Sequence, residues 1–183
     1  MELSKRFNFL CEVKEILEEN KVKFWLDFGT LLGFYRQGDF LETDPDIDIG
    51  VERCEQDKVI NAMLILGRSF KINTRVEKGV LAGYKIMFED TWIDIAFYFP
   101  YEDKLIWLIS QWDKVMVFDK KYFDELQDLE VKGVKFKIPN HIEELMVLKY
   151  GEDWRRPFAP GEEYNLHQRP NVERLNKYLL CLK

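Results

Sequence analysis

The sequence predicts a mixed α/β (α+β) domain: a mixed, twisted sheet of antiparallel leaning with helices packed on it. Three observations lead there. Apolar residues at three- and four-residue steps open the chain, closely spaced alternating segments fill its middle, and a helical period returns after Pro139. Turns between the middle segments are too short for helical crossovers, which favours antiparallel neighbours.

Leu3, Phe7, Leu10, Val13 and Leu17, with Glu and Lys between them, predict an amphipathic helix ending near Asn20. Val22 to Phe28 reads as a strand running into Gly29-Thr30 and a short helical pattern from Leu31 to Arg36. Asp46-Ile47-Asp48-Ile49-Gly50-Val51 alternates strictly, so it reads as a strand with carboxylates on one face and apolar groups on the other. A helix follows through Val59 to Leu66. Strands are expected at Phe70 to Val76, Val80 to Phe88, Trp92 to Phe99, Lys104 to Ile109 and Lys114 to Phe118, then a hairpin around Lys132-Gly133. After Pro139, where His141 begins a helix, Ile142, Leu145, Met146 and Lys149 share a face. The last segment, with Trp154, Pro157, Pro160, His167 and Pro170, reads as an irregular wrap closed by a helix from Val172 to Leu182. Residues 1–183 are read as a single domain, its core over about 22–150 and the wrap and helix over 151–183.

The 183 residues carry 27 Lys and Arg against 33 Asp and Glu, a net charge of −6. An acidic chain is a poor nucleic-acid binder, since such proteins neutralise phosphates with clustered cations. The whole excess lies between Glu42 and Asp57, where seven carboxylates face one cation, Arg53. Carboxylates so crowded either lie in solvent or await a cation. Cys11, Cys54 and Cys181 are far apart and odd in number, which favours reduced thiols and a cytoplasmic location. The opening residues do not read as a signal peptide, and no apolar run approaches the roughly 18 residues of a transmembrane segment.

Asp46 and Asp48, two apart in a strand, present their carboxylates side by side. If the Trp92 to Phe99 strand lies beside them, Asp94 adds a third. Three converging carboxylates repel unless a hard cation sits among them, and Mg²⁺ is the natural candidate. A pair of Mg²⁺ ions roughly 4 Å apart suits phosphoryl chemistry. Gly29-Thr30 at the start of a helix offers backbone N–H groups and a hydroxyl to a donor phosphate, and Arg36 offers a bidentate contact.

This ordered set resembles the nucleotidyltransferase superfamily. Trp25 to Phe40, Asp44 to Val51, Ile138-Pro139 and Tyr150 to Pro157 resemble its LicD and fukutin-related branch. The resemblance implies the nucleotidyltransferase fold and transfer of a phospho-substituent, such as phosphocholine or a polyol phosphate, from a CDP-linked donor to a sugar or glycan hydroxyl, with release of CMP. It also implies that Asp46 and Asp48 bind metal, that Asp94 completes the metal site or acts as base, and that Gly29 and Thr30 hold donor phosphate. Pro45 stands where many relatives carry an acid, so no role is assigned to Asp44. The chain is shorter than typical members, so acceptor-binding insertions are expected to be missing.

Plainer readings stand beside these. Asp46 and Asp48 could line a solvent-facing strand, Asp94 could be a buried acid paired with Lys or Arg, and Arg36 could be a surface ion-pair residue. Tyr150 to Pro157 could be a helix stop with Gly151 as cap. Trp107, Trp112 and Trp154 are read as core rather than as a choline cage. Two rival functions are a nucleotidyltransferase moving a nucleoside monophosphate from a triphosphate to a small molecule or protein, and a non-catalytic nucleotide-binding module.

Overall fold

The structure, a computed structural model, describes residues 4–109, 113–157, 169–179 and 181–182. Leu3, Trp112, Pro160 and His167 lie outside them, as do the readings placed on those residues.

Ser4 opens the first helix, α1 (Lys5–Glu19), where its hydroxyl accepts the Phe7 N–H at 3.2 Å. The stripe Phe7, Leu10, Val13 and Leu17 is fully buried, and each such side chain contributes about 1.5–3 kcal/mol by leaving water. The strand expected over Val22 to Phe28 is confined to β1 (Phe24–Leu26), because Asp27 turns the chain. Its carboxylate accepts the Phe28 N–H at 2.9 Å and caps α2 (Phe28–Gln37), which ends on Gly38. The alternating segment forms β2 (Asp46–Glu52), followed by α3 (Gln56–Leu66), whose Val59, Ala62, Met63 and Leu66 are buried.

Five strands follow: β3 (Lys71–Glu77), β4 (Val80–Phe88), β5 (Thr91–Tyr101), β6 (Lys104–Ile109) and β7 (Lys114–Asp119). The hairpin at Lys132-Gly133 joins β8 (Gln127–Val131) to β9 (Val134–Ile138) in a separate two-stranded sheet. His141 then caps α4 (Ile142–Tyr150), and Gly151 closes that helix as expected. The helix expected from Val172 to Leu182 is not formed. Val172–Arg174 instead make β10, antiparallel to Lys114–Met116 of β7, and Leu175–Tyr178 make a single 3₁₀ turn. Pairing along β7 satisfies backbone groups that would otherwise form an open sheet edge, and that gain overrides local helical preference.

The main sheet has eight strands in the order β1-β2-β5-β6-β7-β10, with β4 also paired to β5 and β3 to β4. All of its pairs but one are antiparallel among the described residues; β2 and β5 run parallel. The long β5 carries β2 along one edge, while its other edge is shared by β4 over Thr91–Ala96 and by β6 over Tyr98–Tyr101. Ile47, Ile49, Val51, Ile93, Ile95 and Phe97 share one buried cluster with the apolar faces of α1 and α3. A second cluster, with Trp25, Tyr98, Phe118, Phe123 and Leu145, joins the far end of the other face to α4. Between its members and the sheet's end that face stays polar. No helix of the described residues is long and apolar enough to cross a membrane, and Cys11, Cys54 and Cys181 are free thiols.

Candidate active site

Parallel pairing fixes the site's frame. The register sets Asp48 beside Asp94 and Asp46 beside Trp92. Because side chains alternate along a strand, the register that buries Ile47, Ile49, Ile93 and Ile95 sends Asp46, Asp48 and Asp94 to the opposite face. Asp44, just before β2, completes a tighter group: one carboxylate oxygen from each of Asp44, Asp46 and Asp48 lies within 4.8 Å of the others.

Several contacts hold the approach to β2 in place. Arg6 of α1 donates to the Asp44 carbonyl at 2.7 Å and to the Asp46 carbonyl, while its guanidinium stacks over Phe40. The Thr91 hydroxyl donates to the Pro45 carbonyl at 2.7 Å. Gly29 lies so close that a Cβ on it would stand 1.7 Å from Asp44 Oδ2. Its N–H, at the amino end of α2, donates to Asp48 Oδ2 at 3.1 Å, and the Thr30 hydroxyl accepts the Asp48 N–H at 2.9 Å.

Crowding has an electrostatic consequence. Burial, then the neighbouring Asp46, pushes the Asp44 carboxyl up to about 7. Burial and the charges of Asp46 and Asp44 push Asp48 well above the carboxylate range. Asp94 is raised by burial, against the opposing pull of Lys85 and of the Trp92 indole. Its Oδ2 accepts from Trp92 Nε1 at 2.9 Å and lies 3.6 Å from Lys85 Nζ. A set of oxygen donors this short of positive charge fits a hard divalent cation.

Asp46, Asp48 and Asp94 border a cleft of about 190 Å³, also lined by Asp27, Phe28, Arg75, Ala96 and Trp107. Phe28, at a positive φ of 33°, packs on Trp107 with centroids 4.6 Å apart. Lys149 Nζ lies 4.0 Å from the Phe28 ring centre and pairs with Asp27, which also accepts the Tyr98 hydroxyl. Lys149 is 0% and Asp27 1% exposed, so the cleft rests on a buried ion pair.

Of the residues singled out in the sequence, Asp46, Asp48, Asp94, Gly29 and Thr30 come together. The Gly29 N–H and Thr30 hydroxyl both engage Asp48. Arg36 does not join them: seven residues beyond Gly29, it sits about 10 Å further along the helix and donates to the Trp154 carbonyl at 3.3 Å. Trp154 is buried, as expected of core, whereas Trp107 lines the cleft. Sequence reasoning left Asp44 without a role and missed Arg6, Asp27, Arg75 and Lys149. One signal was present, since Lys149 shares the apolar face of α4 with Ile142 and Leu145.

An Asp-x-Asp strand parallel to an Asp-bearing strand, with a helix amino end against the carboxylates, is the arrangement of the nucleotidyltransferase fold. Solved structures agree on that fold. The lincosamide antibiotic adenylyltransferase LnuA, lincomycin-bound, matches with a TM-score of 0.53 at 18% identity, over 79% of this chain and 85% of that one. The solution structure of antibiotic-resistance factor ANT(2'')-Ia matches with a TM-score of 0.51 at 10% identity, over 72% of this chain and 63% of that one. The model of the family described as LicD/FKTN/FKRP, nucleotidyltransferase domain, matches residues 21–141, and the chain belongs to that family. Among curated relatives, the ribitol 5-phosphate transferase FKRP of Homo sapiens and that of Mus musculus are each 27% identical over 148 residues, 74% of this chain. The chain spans 29% of the length of those relatives.

Proposed function

We propose that this chain is a metal-dependent phosphotransferase that moves a phospho-substituent, of phosphocholine or polyol-phosphate type, from a CDP-linked donor to a sugar or glycan hydroxyl. The observation that carries this reading is the convergence of Asp44, Asp46 and Asp48 beside Asp94, at the amino end of α2. Family membership and the name of the FKRP relatives supply the class of transferred group.

Asp44, Asp46 and Asp48 would hold Mg²⁺, as one ion or two. When bound, Mg²⁺ neutralises phosphate oxygens and stabilises the charge of the leaving CMP. The chain's own groups do the rest. Gly29 holds Asp48 by its N–H and leaves room for Asp44, so the two carboxylates can approach one cation. Asp94, tethered through Oδ2 to Trp92 and made a stronger base by burial, takes as the carboxylate the proton of the acceptor hydroxyl on Oδ1. The acceptor oxygen bonds to the transferred phosphorus as the bond from that phosphorus to the CMP oxygen breaks. The packed Phe28 and Trp107 rings offer an apolar wall to the donor beside the reacting phosphates.

Two measurements test the reading. Asp46→Asn and Asp48→Asn should each abolish CMP release from a CDP-linked donor while the far-UV spectrum is unchanged, and near-normal turnover in either would remove the metal assignment. Thermal shift with CDP-choline, CDP-polyols and nucleoside triphosphates, with and without Mg²⁺, should select a CDP-linked donor. Pyrophosphate release from a triphosphate would instead establish a nucleotidyltransferase, and binding of no nucleotide would establish neither activity.

A further inference from the structure

The sheet register brings Arg75, which makes no close ion pair among the described residues, to the cleft that holds the aspartates. Across the polar face, pairing aligns Asn73, Lys85, Asp94 and Asp48 in one row and Arg75, Gly83, Ala96 and Gly50 in the next. The second row has no large side chain between β3 and β2. Arg75 can therefore lie across β4 and β5, about 10 Å for two strand spacings, and it reaches the cleft beside Asp46, Asp48 and Asp94.

Two local features aim it. The register shifts between Arg75 and Val76, whose partners are Gly83 and Leu81, so β4 carries one extra residue, Ala82, opposite that point, and Arg75 donates to its carbonyl. Opposite the slip, Gly83 has φ of 154°, and a Cβ there would stand 2.0 Å from the Ile95 carbonyl oxygen. Only glycine lets β4 press this closely on β5 and keep the row open.

The guanidinium is anchored but not neutralised. Its Nη2 donates to the Ala82 carbonyl at 3.2 Å, and its Nε is buried with no hydrogen-bond partner among the described residues. No carboxylate lies within ion-pair distance of it among those residues, while Asp94, the nearest acid on β5, is engaged by Lys85 and Trp92. A half-buried guanidinium that donates to one carbonyl, and whose charge also pulls on Asp94, keeps N–H donors for an anion, and its planar fork matches two phosphate oxygens.

We propose that Arg75 binds a phosphate of the donor from the β3 side of the cleft, opposite Asp44, Asp46 and Asp48. This assignment rests on the phosphotransferase reading and gives its donor diphosphate a second point of attachment. It also takes over the role the sequence offered to Arg36.

Calorimetric titration of wild type, Arg75→Met and Arg75→Lys with pyrophosphate and with CDP, each in Mg²⁺, tests it. Loss of a charge-assisted bidentate contact should weaken pyrophosphate and CDP binding by about 10- to 100-fold in Arg75→Met, with part recovered in Arg75→Lys and cytidine binding unchanged. An Arg75→Met protein that binds Mg²⁺-pyrophosphate within about twofold of wild type would overturn the assignment, whatever the donor, as would a wild type that binds neither probe. A wild type that binds pyrophosphate through Arg75 but not CDP sustains the assignment and overturns the cytidine donor.

Discussion

Replacing Lys149 with Met tests whether the cleft rests on a buried ion pair. Both partners are out of water, with Lys149 0% and Asp27 1% exposed. Removing one partner of such a pair costs about 3–5 kcal/mol, because the other charge is left buried. Asp27 would keep the Tyr98 hydroxyl and the Phe28 N–H, which favours the lower end, about 3 kcal/mol. The ammonium over the Phe28 ring at 4.0 Å is lost as well, and such contacts contribute about 0.5–2 kcal/mol. Together these come to about 3.5–5 kcal/mol, and chains of this length lose about 2–4 °C per kcal/mol, so Tm should fall by roughly 7–20 °C. Urea denaturation followed by far-UV circular dichroism measures the loss directly. The double variant Asp27→Asn/Lys149→Met should recover about half of it, since Asn still caps α2 and carries no charge. A single variant that loses less than about 1 kcal/mol, or a double variant no better than the single, would refute the buried pair as a support of the site.

Gly29→Ala should drive Asp44 from the cluster, since its Cβ would stand 1.7 Å from Asp44 Oδ2. The Mg²⁺-dependent rise in Tm should shrink severalfold, and an unchanged rise would show that Asp44 is not needed for the cation. Arg6→Met frees the Asp44 and Asp46 carbonyls and should cost about 2 kcal/mol in urea denaturation, the worth of hydrogen bonds from a charged donor. In EDTA, stability should fall as pH rises from about 4 to 7. Over that range folded Asp44, raised to about 7, holds a proton that its unfolded counterpart, at 3.8, has lost. The raised carboxyls of Asp48 and Asp94 act in the same direction. Solvent screening of the partly buried Asp44 cuts the full linkage of about 4 kcal/mol to about 1–2. Carboxylates lowered by lysine partners, such as Asp39 and Asp113, act below that window. A melting profile in EDTA that stays flat or rises between pH 5 and 8 would contradict the crowding, and Mg²⁺ at pH 8 should restore the lost stability.

Local patterns made most of the elements legible. Strict alternation in Asp46 to Val51 fixed both a strand and the face its acids occupy, and the Trp92 to Phe99 segment gave Asp94 a place beside them. Other features depend on contacts between distant segments. Asp44 joins the cluster because Gly29, on another element, has no side chain to exclude it. Arg6 reaches the same loop from α1, and Arg75 reaches the cleft through a bulge and a row of small residues in three strands. The carboxy-terminal segment has helical composition, yet it pairs with β7 because an open sheet edge is worth more to it than a helix with little to pack against. Asp27 lay between legible and hidden. The pattern placed it inside a strand, whereas it caps α2, and its ion pair required the fold to bring Lys149 onto it from a distant part of the chain.

The parallel pairing of β2 with β5 also bears on how the chain folds. Between these strands run α3, β3 and β4, so the pair closes only after a long intervening segment has been ordered, a slow kind of contact. That same closure forces Asp48 against Asp94 in register, so the last step of assembly raises the repulsion it must overcome. If the carboxylates are gathered before the rate-limiting barrier, Mg²⁺ should accelerate refolding and leave unfolding little changed; if they gather after it, Mg²⁺ should slow unfolding alone. Folding rates would thus report on cation binding without any assay of turnover.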